Sequence, residues 1–480
     1  MHCGYVVKVE KLRKHENADK LQIATFFGND TCVNLDVVMG EIGIYFPSDL
    51  QLSEEFCELN HLCRKKKDGS SDTGYLDESK RNVKAIKLRG EKSDGLFLPL
   101  HCLESFGDIT QLRVGDTIDV FNGHEICKKY IPRSSTRRGH YSEGNKTRKH
   151  KVPVAPLFAE HADTEQLAYN LGAFKSGDEI EITLKMHGTS QRTGYLPVFK
   201  GYKDSLPRRI INKIYMGLKV GKNWGTNGTK VLYDSLKHGE PIYDWGEVSG
   251  TRRVVLEDFE GGFYGSNAFR EQHSKFFEGK LWKGETVYYE VVGFTDTGTP
   301  IMAECSNKKL NDPDFVKQYG DITVFSYGCT PDGVFEFGDN RLVPQSDIYV
   351  YRMTMTNEDG DVVEYTPDFM RYRCEQMGVK TVPVLWRGTI PEINNDEALI
   401  EDMKETAGTW IKDIAEQYYD GPDPIGKTHI REGVVVRILN RPKFCAYKHK
   451  NFNFKVLENI IKDTADAPDM EEAQEISDEM

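Results

Sequence analysis

Apolar and polar positions alternate in short runs over the first quarter of the chain. Y-V-V-K-V, L-Q-I-A-T-F-F and E-I-G-I-Y-F-P are separated by Gly, Asn-Asp and Pro-Ser turns. Up to about Cys127 this spacing predicts a small closed or partly closed β-barrel. From about Pro153 to Ile461 the pattern changes. Strand-like runs (D-E-I-E-I-T-L, E-T-V-Y-Y-E-V-V-G, G-V-V-V-R-I-L) mix with helix-like ones such as Asp396 to Tyr419. Strands and helices do not alternate regularly, so the region predicts an α+β fold rather than a doubly wound parallel sheet. No internal repeat is visible.

Residues 128–152 lack hydrophobic periodicity and divide the two regions as a linker. From Lys128 to Lys151 there are nine Lys or Arg against a single Glu. A second basic region, Lys200 to Lys237, carries Arg208, Arg209, Lys213, Lys219, Lys222 and Lys230 with Trp224 and several tyrosines interleaved. By contrast, Asp463 to Met480 has eight acidic residues and no basic one, which reads as an acidic disordered tail over 462–480. The formal net charge of −12 by itself argues against a nucleic-acid binder, but the charge is segregated. Clustered Lys and Arg neutralise phosphates and release counterions, so the basic segments suit a phosphate backbone.

A chain of 480 residues is too long for one compact core and suggests two or three domains. No signal-peptide order stands at its start and no apolar run approaches the ~20 residues that span a bilayer, so a soluble, cytoplasmic protein is expected. Ten cysteines lie without pairing rhythm, as reduced thiols do. Cys57, His61 and Cys63 are close together, but no second Cys-x-x-Cys pair completes a zinc site.

The candidate chemistry centres on T-L-K-M-H-G-T-S-Q-R, Thr183 to Arg192. Lys185 ends a strand-like run, and Gly188 permits a tight turn just after it. A lysine so placed can enter a cleft, where desolvation favours the neutral, nucleophilic amine. Downstream, Y-Y-E-V-V-G carries Glu290, R-E-G-V-V-V-R carries Glu432, and A-Y-K-H-K sets Lys448 and Lys450 on one face of an extended segment. One lysine, two strand-borne carboxylates and a paired-lysine strand make a site for a triphosphate and a divalent metal, Mg²⁺ or Mn²⁺. No G-x-x-x-x-G-K-[ST] run is present, and G-T-N-G-T-K near Gly225 reads as a turn.

The ordered set resembles the covalent nucleotidyltransferase superfamily of polynucleotide ligases and capping enzymes, and most closely the ATP-dependent RNA ligases. K-M-H-G-T-S is similar to the nucleophile motif, Y-E-V-V-G to the third, E-G-V-V-V-R to the fourth, and Y-K-H-K with F-N-F-K-V-L-E to the fifth. The N-terminal portion, with K-A-I-K-L-R-G-E-K-S-D-G-L-F-L-P-L, is similar to the OB domain of the Deinococcus-type branch. The resemblance implies an OB-like RNA-binding domain over 1–127 and an adenylyltransferase domain of antiparallel sheets with flanking helices over 153–461. It implies ATP attack by Lys185, a Lys-AMP intermediate, transfer of AMP to a 5′-phosphate RNA end, and sealing by a 3′-OH. It further implies Arg252 on phosphate and ribose, Tyr351 stacked on adenine, Glu290 and Glu432 on ribose and metal, and Lys448 and Lys450 on the α-phosphate. The expected partner is RNA, nicked or broken, bound by a monomer in the service of RNA repair.

The pattern also departs from the family. His187 stands where many relatives have Asp, Arg253 beside Arg252 leaves the register open, and Glu247 in W-G-E-V-S-G competes with Glu290 for the third motif. Glu290 is preferred because it follows the longer apolar strand and comes after the arginine motif. The long step from Lys185 to Arg252 suggests an insertion over 199–243. Two other classes share features: a GTP-dependent guanylyltransferase has the same lysine chemistry, and a non-catalytic RNA-binding protein could keep the basic segments. A DNA ligase would need an OB domain after the fifth motif, where only about thirty residues remain.

Overall fold

The computed structural model describes residues 2–64, 74–131, 152–203, 241–256, 258–259, 264, 266–333, 335–336, 341–394 and 405–463. The basic stretch 132–151, residues 204–240 of the expected insertion and the acidic tail from 464 lie outside them.

The principal N-terminal strands are β1 (Gly4–Lys8), β2 (Leu21–Phe26), β3 (Asn29–Asn34), β4 (Ile42–Phe46), β5 (Leu96–Pro99) and β6 (Thr117–Ile118). Phe27 and Gly28, at φ 52° and 77°, close the β2–β3 hairpin, since a turn with two positive φ values matches the twist of its strands. The order β6-β1-β4-β5 makes one antiparallel sheet, while β2 and β3 lie in another with Leu12–Lys14. Period-two alternation sends Val6, Ile44 and Phe46 into one core and Val7 and Tyr45 into a second. The sequence predicts a closed or partly closed barrel; among the described residues the strands divide between separate sheets and no closed barrel is found. A short helix, α1 (Glu54–Leu59), is capped by Ser53, whose side chain accepts from the Phe56 amide. Its Cys57 packs in the first core, and no cluster of His, Cys, Asp or Glu suited to a metal occurs among the described residues.

The second region carries β7 (Glu165–Gln166), β8 (Glu179–Lys185), β9 (Thr189–Tyr202), β10 (Pro241–Gly250), β11 (Val255–Leu256), β12 (Glu285–Gly293), β13 (Ser346–Thr356), β14 (Val362–Glu364), β15 (Val384–Thr389), β16 (Gly433–Ile438) and β17 (Ala446–Lys450). A first sheet runs β7-β17-β16-β8-β15 and a second runs β11-β10-β9-β12-β13-β14. Both are antiparallel except where β7 joins β17, and where Lys380–Thr381 joins β13. With helices α2 (Ala268–Phe276), α3 (Pro367–Met377), α4 (Ala407–Glu416) and α5 (Phe452–Asp463), this is the expected α+β arrangement. Residues 199–202 and 241–243 of the expected insertion simply extend β9 and β10. Of the helix anticipated over Asp396 to Tyr419, residues 396–404 lie outside the described residues; the described helix is α4, which starts at a Thr406–Thr409 capping box and ends at Glu416.

Burial explains the layers. Ile180 and Ile182 of β8 and Val434, Val436 and Ile438 of β16 pack on Ile411 and Ala415 of α4. Val287, Tyr289 and Val291 of β12 pack on Phe269 of α2 and Met370 and Cys374 of α3. Leu184, Met186, Val292, Tyr349 and Phe454, drawn from both sheets and α5, form a smaller cluster. The N-terminal region packs on this body through Ala85, which joins Val456 and Leu457 of α5 in one apolar cluster. An ion pair of 2.5 Å between Asp94 and Lys455 and a stacked Tyr5–Tyr169 pair with centroids 4.9 Å apart reinforce that contact. No described helix is long and apolar enough to cross a membrane.

Candidate active site

β8 ends at Lys185 in the first sheet and β9 begins at Thr189 in the second, so Met186, His187 and Gly188 alone span the seam. The seam must be tight. A Cβ on Gly188 would stand 2.4 Å from the Val291 carbonyl oxygen and 2.9 Å from Glu290 Cγ, so only glycine lets the lysine strand approach the Glu290 strand this closely.

Register then assembles the cations. Lys185 lies opposite Gly433, and Gly433 lies opposite Lys450, so two lysines flank one glycine at the same level of the sheet. Glu432, the residue before that glycine, is 2 % exposed, and its Oε1 lies 2.8 Å from Lys185 Nζ and 3.5 Å from Lys450 Nζ. Lys450 also reaches Glu458 of α5 at 2.8 Å. Burial alone would raise the Glu432 proton affinity, but Lys185, Lys450 and His187 outweigh it and hold the carboxyl below its ordinary range. Its Oε2 accepts no hydrogen bond among the described residues.

His187 is enclosed edge-on by Phe325 and Phe454, with centroids 4.7 and 4.8 Å away. Burial, helped by Lys450 and Lys185 and opposed by Glu432 and Glu458, pushes its ring down to about 4. The imidazole is thus neutral near pH 7, and its Nδ1 stays 3.7 Å from Glu432 Oε2. Lys448 shares a face of β17 with Lys450. Burial first, then the charges of Lys450, Lys185, Arg252 and Lys129, push its ammonium down to about 8. Lys129 belongs to the N-terminal region, which therefore adds a cation to the site.

The second sheet supplies the opposing wall. Glu290 lies opposite Ser190 and accepts from its hydroxyl at 3.3 Å. Glu247 is elsewhere: it pairs with Tyr195 farther along β9 and accepts from the Gly279 amide at 2.8 Å. Arg252 follows the end of β10, on a turn whose carbonyls are held from beneath. Fully buried Arg192 donates to the Arg252 and Arg253 carbonyl oxygens at 2.8 and 3.3 Å. Asp163 pairs with both side chains, 3.4 Å from Arg252 and 3.1 Å from Arg253. Tyr351 is the extra residue of a β-bulge, where the pairing of β12 and β13 steps from Arg352 to Val350. Its ring packs against the cluster containing Leu184 and Met186 and meets His161 edge-on at 5.4 Å.

The structure thus gathers Lys185, His187, Glu432, Lys448 and Lys450, and sets Gly188 and Glu290 beside them. The charge of Arg252 reaches Lys448, Tyr351 packs on the cluster of Leu184 and Met186, and Glu247 lies farther along β10 opposite Tyr195. Sequence reasoning missed Glu458, Asp163, Arg192, Lys129 and Tyr327. Glu458 was within the quoted F-N-F-K-V-L-E run, and Arg192 closes the stretch that begins at Thr183, whereas Tyr327 carries no local signal. Chemically, a cleft with cations from two sheets and carboxylates on both walls suits a polyphosphate bound together with a hard cation. Glu290 and Glu432 are the groups that could hold the metal. Mg²⁺ is often carried by one or two carboxylates plus substrate phosphates, so a complete protein cage is not required.

The fold has known counterparts. The chain is similar to the Naegleria gruberi RNA ligase, solved as a lysine-to-alanine mutant with ATP and Mn, at 15 % identity and a TM-score of 0.52, covering 94 % of this chain and 98 % of that one. A second lysine-to-alanine mutant with ATP and Mn gives 15 % identity and a TM-score of 0.51 over 96 % and 98 % of the two chains. The same ligase with PPi gives 15 % and 0.51 over 94 % and 97 %. At this identity the likeness establishes a shared fold. No family model and no curated protein matches the chain.

Proposed function

We propose that the chain is an ATP-dependent RNA ligase that works through a covalent Lys185-AMP. The observation that carries this reading is the register Lys185–Gly433–Lys450 at the sheet seam, with Glu432 buried between the lysines and Glu290 on the facing strand. The ligase fold of the similar structures, solved with ATP or PPi, supports it.

Lys185 attacks the α-phosphorus of ATP as the free amine, once its ammonium proton has passed to water. The P–N bond forms as the bond to the bridging β-phosphate oxygen breaks, pyrophosphate leaves with the bonding pair, and the nitrogen releases its extra proton to water. A 5′-phosphate oxygen of RNA then attacks the adenylyl phosphorus and returns the electron pair to Lys185. A 3′-OH attacks the activated 5′-phosphorus, the phosphodiester forms, and AMP departs. Lys448 and Lys450 stabilise the charge that develops on the α-phosphate. Arg252 takes phosphate and ribose, and Tyr351 offers its flat face to adenine. Neutral His187 fills, without charge, a place beside Glu432.

The residues present fit a divalent cation: buried Glu432 has an oxygen that accepts no hydrogen bond among the described residues, and Glu290 lies on the second sheet beside Gly188, three residues from Lys185. Mg²⁺ or Mn²⁺ held there would screen the phosphate charges and compete with Lys185 for Glu432, freeing the amine. The N-terminal region, the counterpart of an OB domain in this reading, and the basic segment at 128–152 position a broken or nicked RNA, and a monomer suffices. Labelled ATP should mark the denatured protein in the presence of Mg²⁺, labelled GTP should not, and the marked protein should seal a 5′-phosphate RNA strand. Labelling by GTP alone would shift the assignment to a guanylyltransferase.

A further inference from the structure

Behind the seam lies a second tyrosine that the ligase reaction as described does not use. Tyr327 is 2 % exposed and sits at φ +49°, a left-handed backbone that strains a bulky side chain and persists only where surroundings enforce it. Its hydroxyl accepts from the His187 amide at 2.6 Å, in the middle of the linker that carries Lys185 from one sheet to the other.

The enforcing structure is the loop from Pro422 to Ile430, which leads directly into Glu432. The Asp423 amide donates to the His429 carbonyl at 2.8 Å, and Asp423 Oδ1 accepts from Ile425 and Gly426 amides at 2.8 and 3.2 Å, closing the loop on itself. The His429 ring stands edge-on to the Tyr327 ring at 4.6 Å. Gly426 is so close that a Cβ there would lie 2.9 Å from the Gly328 amide nitrogen. One buried tyrosine therefore touches both chain segments that meet in the Lys185–Glu432 pair: the first through the His187 amide, the second through His429.

We propose that Tyr327 is a positioning residue that fixes the His187 amide and so aims Lys185 at its target, with the 422–430 loop holding it in a backbone conformation it would not otherwise keep. The proposal rests on the ligase reading for its kinetic consequence but not for its structural one. Tyr327→Phe keeps the ring and removes only the acceptor. Because reacting groups misplaced by about 1 Å lose on the order of a hundredfold in rate, Lys-AMP formation at saturating ATP should fall about tenfold to a hundredfold with the ATP concentration for half-maximal rate unchanged. Joining of a pre-adenylylated RNA, which does not need Lys185 as nucleophile, should stay within about threefold of wild type on the same argument. Hydrogen exchange at the His187 amide should accelerate while amides of β12 and β13 keep their protection. His429→Leu, which removes the ring edge beneath Tyr327, should give the same split to a smaller degree and decides the matter if Tyr327→Phe fails to fold. Equal losses in Lys-AMP formation and in joining of pre-adenylylated RNA, or unchanged Lys-AMP formation, would overturn the proposal. If wild type forms no Lys-AMP, the ligase reading falls, and the exchange arm decides alone: unchanged His187 exchange would then refute positioning, and faster exchange would uphold it.

Discussion

Replacing Gly433 by alanine adds one methyl group at the point where three strands converge. Its Cβ would stand 2.1 Å from the His449 carbonyl oxygen and 2.8 Å from Lys450 Cα, at a backbone φ of +150°. Ordinary carbon–oxygen approach is about 3.3 Å, so β17 must retreat from β16 by about 1.2 Å or the pairing must break. Backbone strain of about 1–3 kcal/mol and one or two weakened ladder bonds at about 1 kcal/mol each give a loss of about 2–5 kcal/mol. The same displacement carries Lys450 away from Glu432 and Lys185, and an error of this size costs about a hundredfold in rate. Thermal unfolding and single-turnover Lys-AMP formation measure the two effects. Gly172→Ala is the control, since a Cβ there meets nothing within 4 Å. A Gly433→Ala protein with wild-type melting and wild-type adenylylation would refute the reasoning, because it would mean that the register does not set the lysines.

Three further outcomes follow from the geometry. Glu290→Gln should lose strand sealing by about a hundredfold, as removal of a metal- or charge-binding group does, while Glu247→Gln stays active; the reverse result would return the third motif to β10. Lys448, held down to about 8, loses its charge as pH rises through that value, so apparent ATP affinity should weaken there, and Lys448→Arg should erase the inflection. Glu416 lies 3.4 Å from His449 Nε2 and pairs with Lys412, which lower it from 4.5 to about 2; its stabilisation is full above 4.5 and is lost as pH falls toward 2, so Glu416→Gln should flatten acid unfolding in that window.

The strands that carry chemistry were legible because each is a run of alternating or continuous apolar residues. E-T-V-Y-Y-E-V-V-G is β12 to the residue, and A-Y-K-H-K is β17. Sheet register sets Glu290 opposite Ser190 and Glu247 opposite Tyr195, farther along β9. Topology was less legible in the N-terminal region, where Val6 beside Val7 and Ile44 beside Tyr45 bury both faces, and period alone does not say whether such strands close on themselves or divide between sheets. Tyr327 and Asp163 were invisible for another reason: each acts through a contact with a residue distant in sequence, and nothing in its own neighbourhood marks it; Lys129 stood in a marked basic run, but the run does not show that its charge reaches Lys448. His187 stood out as a departure, but its neutrality depends on Phe325 and Phe454, which only the fold brings to it.

In the proposed mechanism Lys185 becomes covalently attached to AMP. The direct measurement is to incubate the protein with ATP and Mg²⁺, digest it under conditions that preserve a phosphoramidate, and map the adenylyl group by mass spectrometry, with Lys185→Ala in parallel. The account predicts one AMP on Lys185, none on the variant, and retained joining of pre-adenylylated RNA by the variant. AMP on another residue, or undiminished labelling of Lys185→Ala, would contradict it.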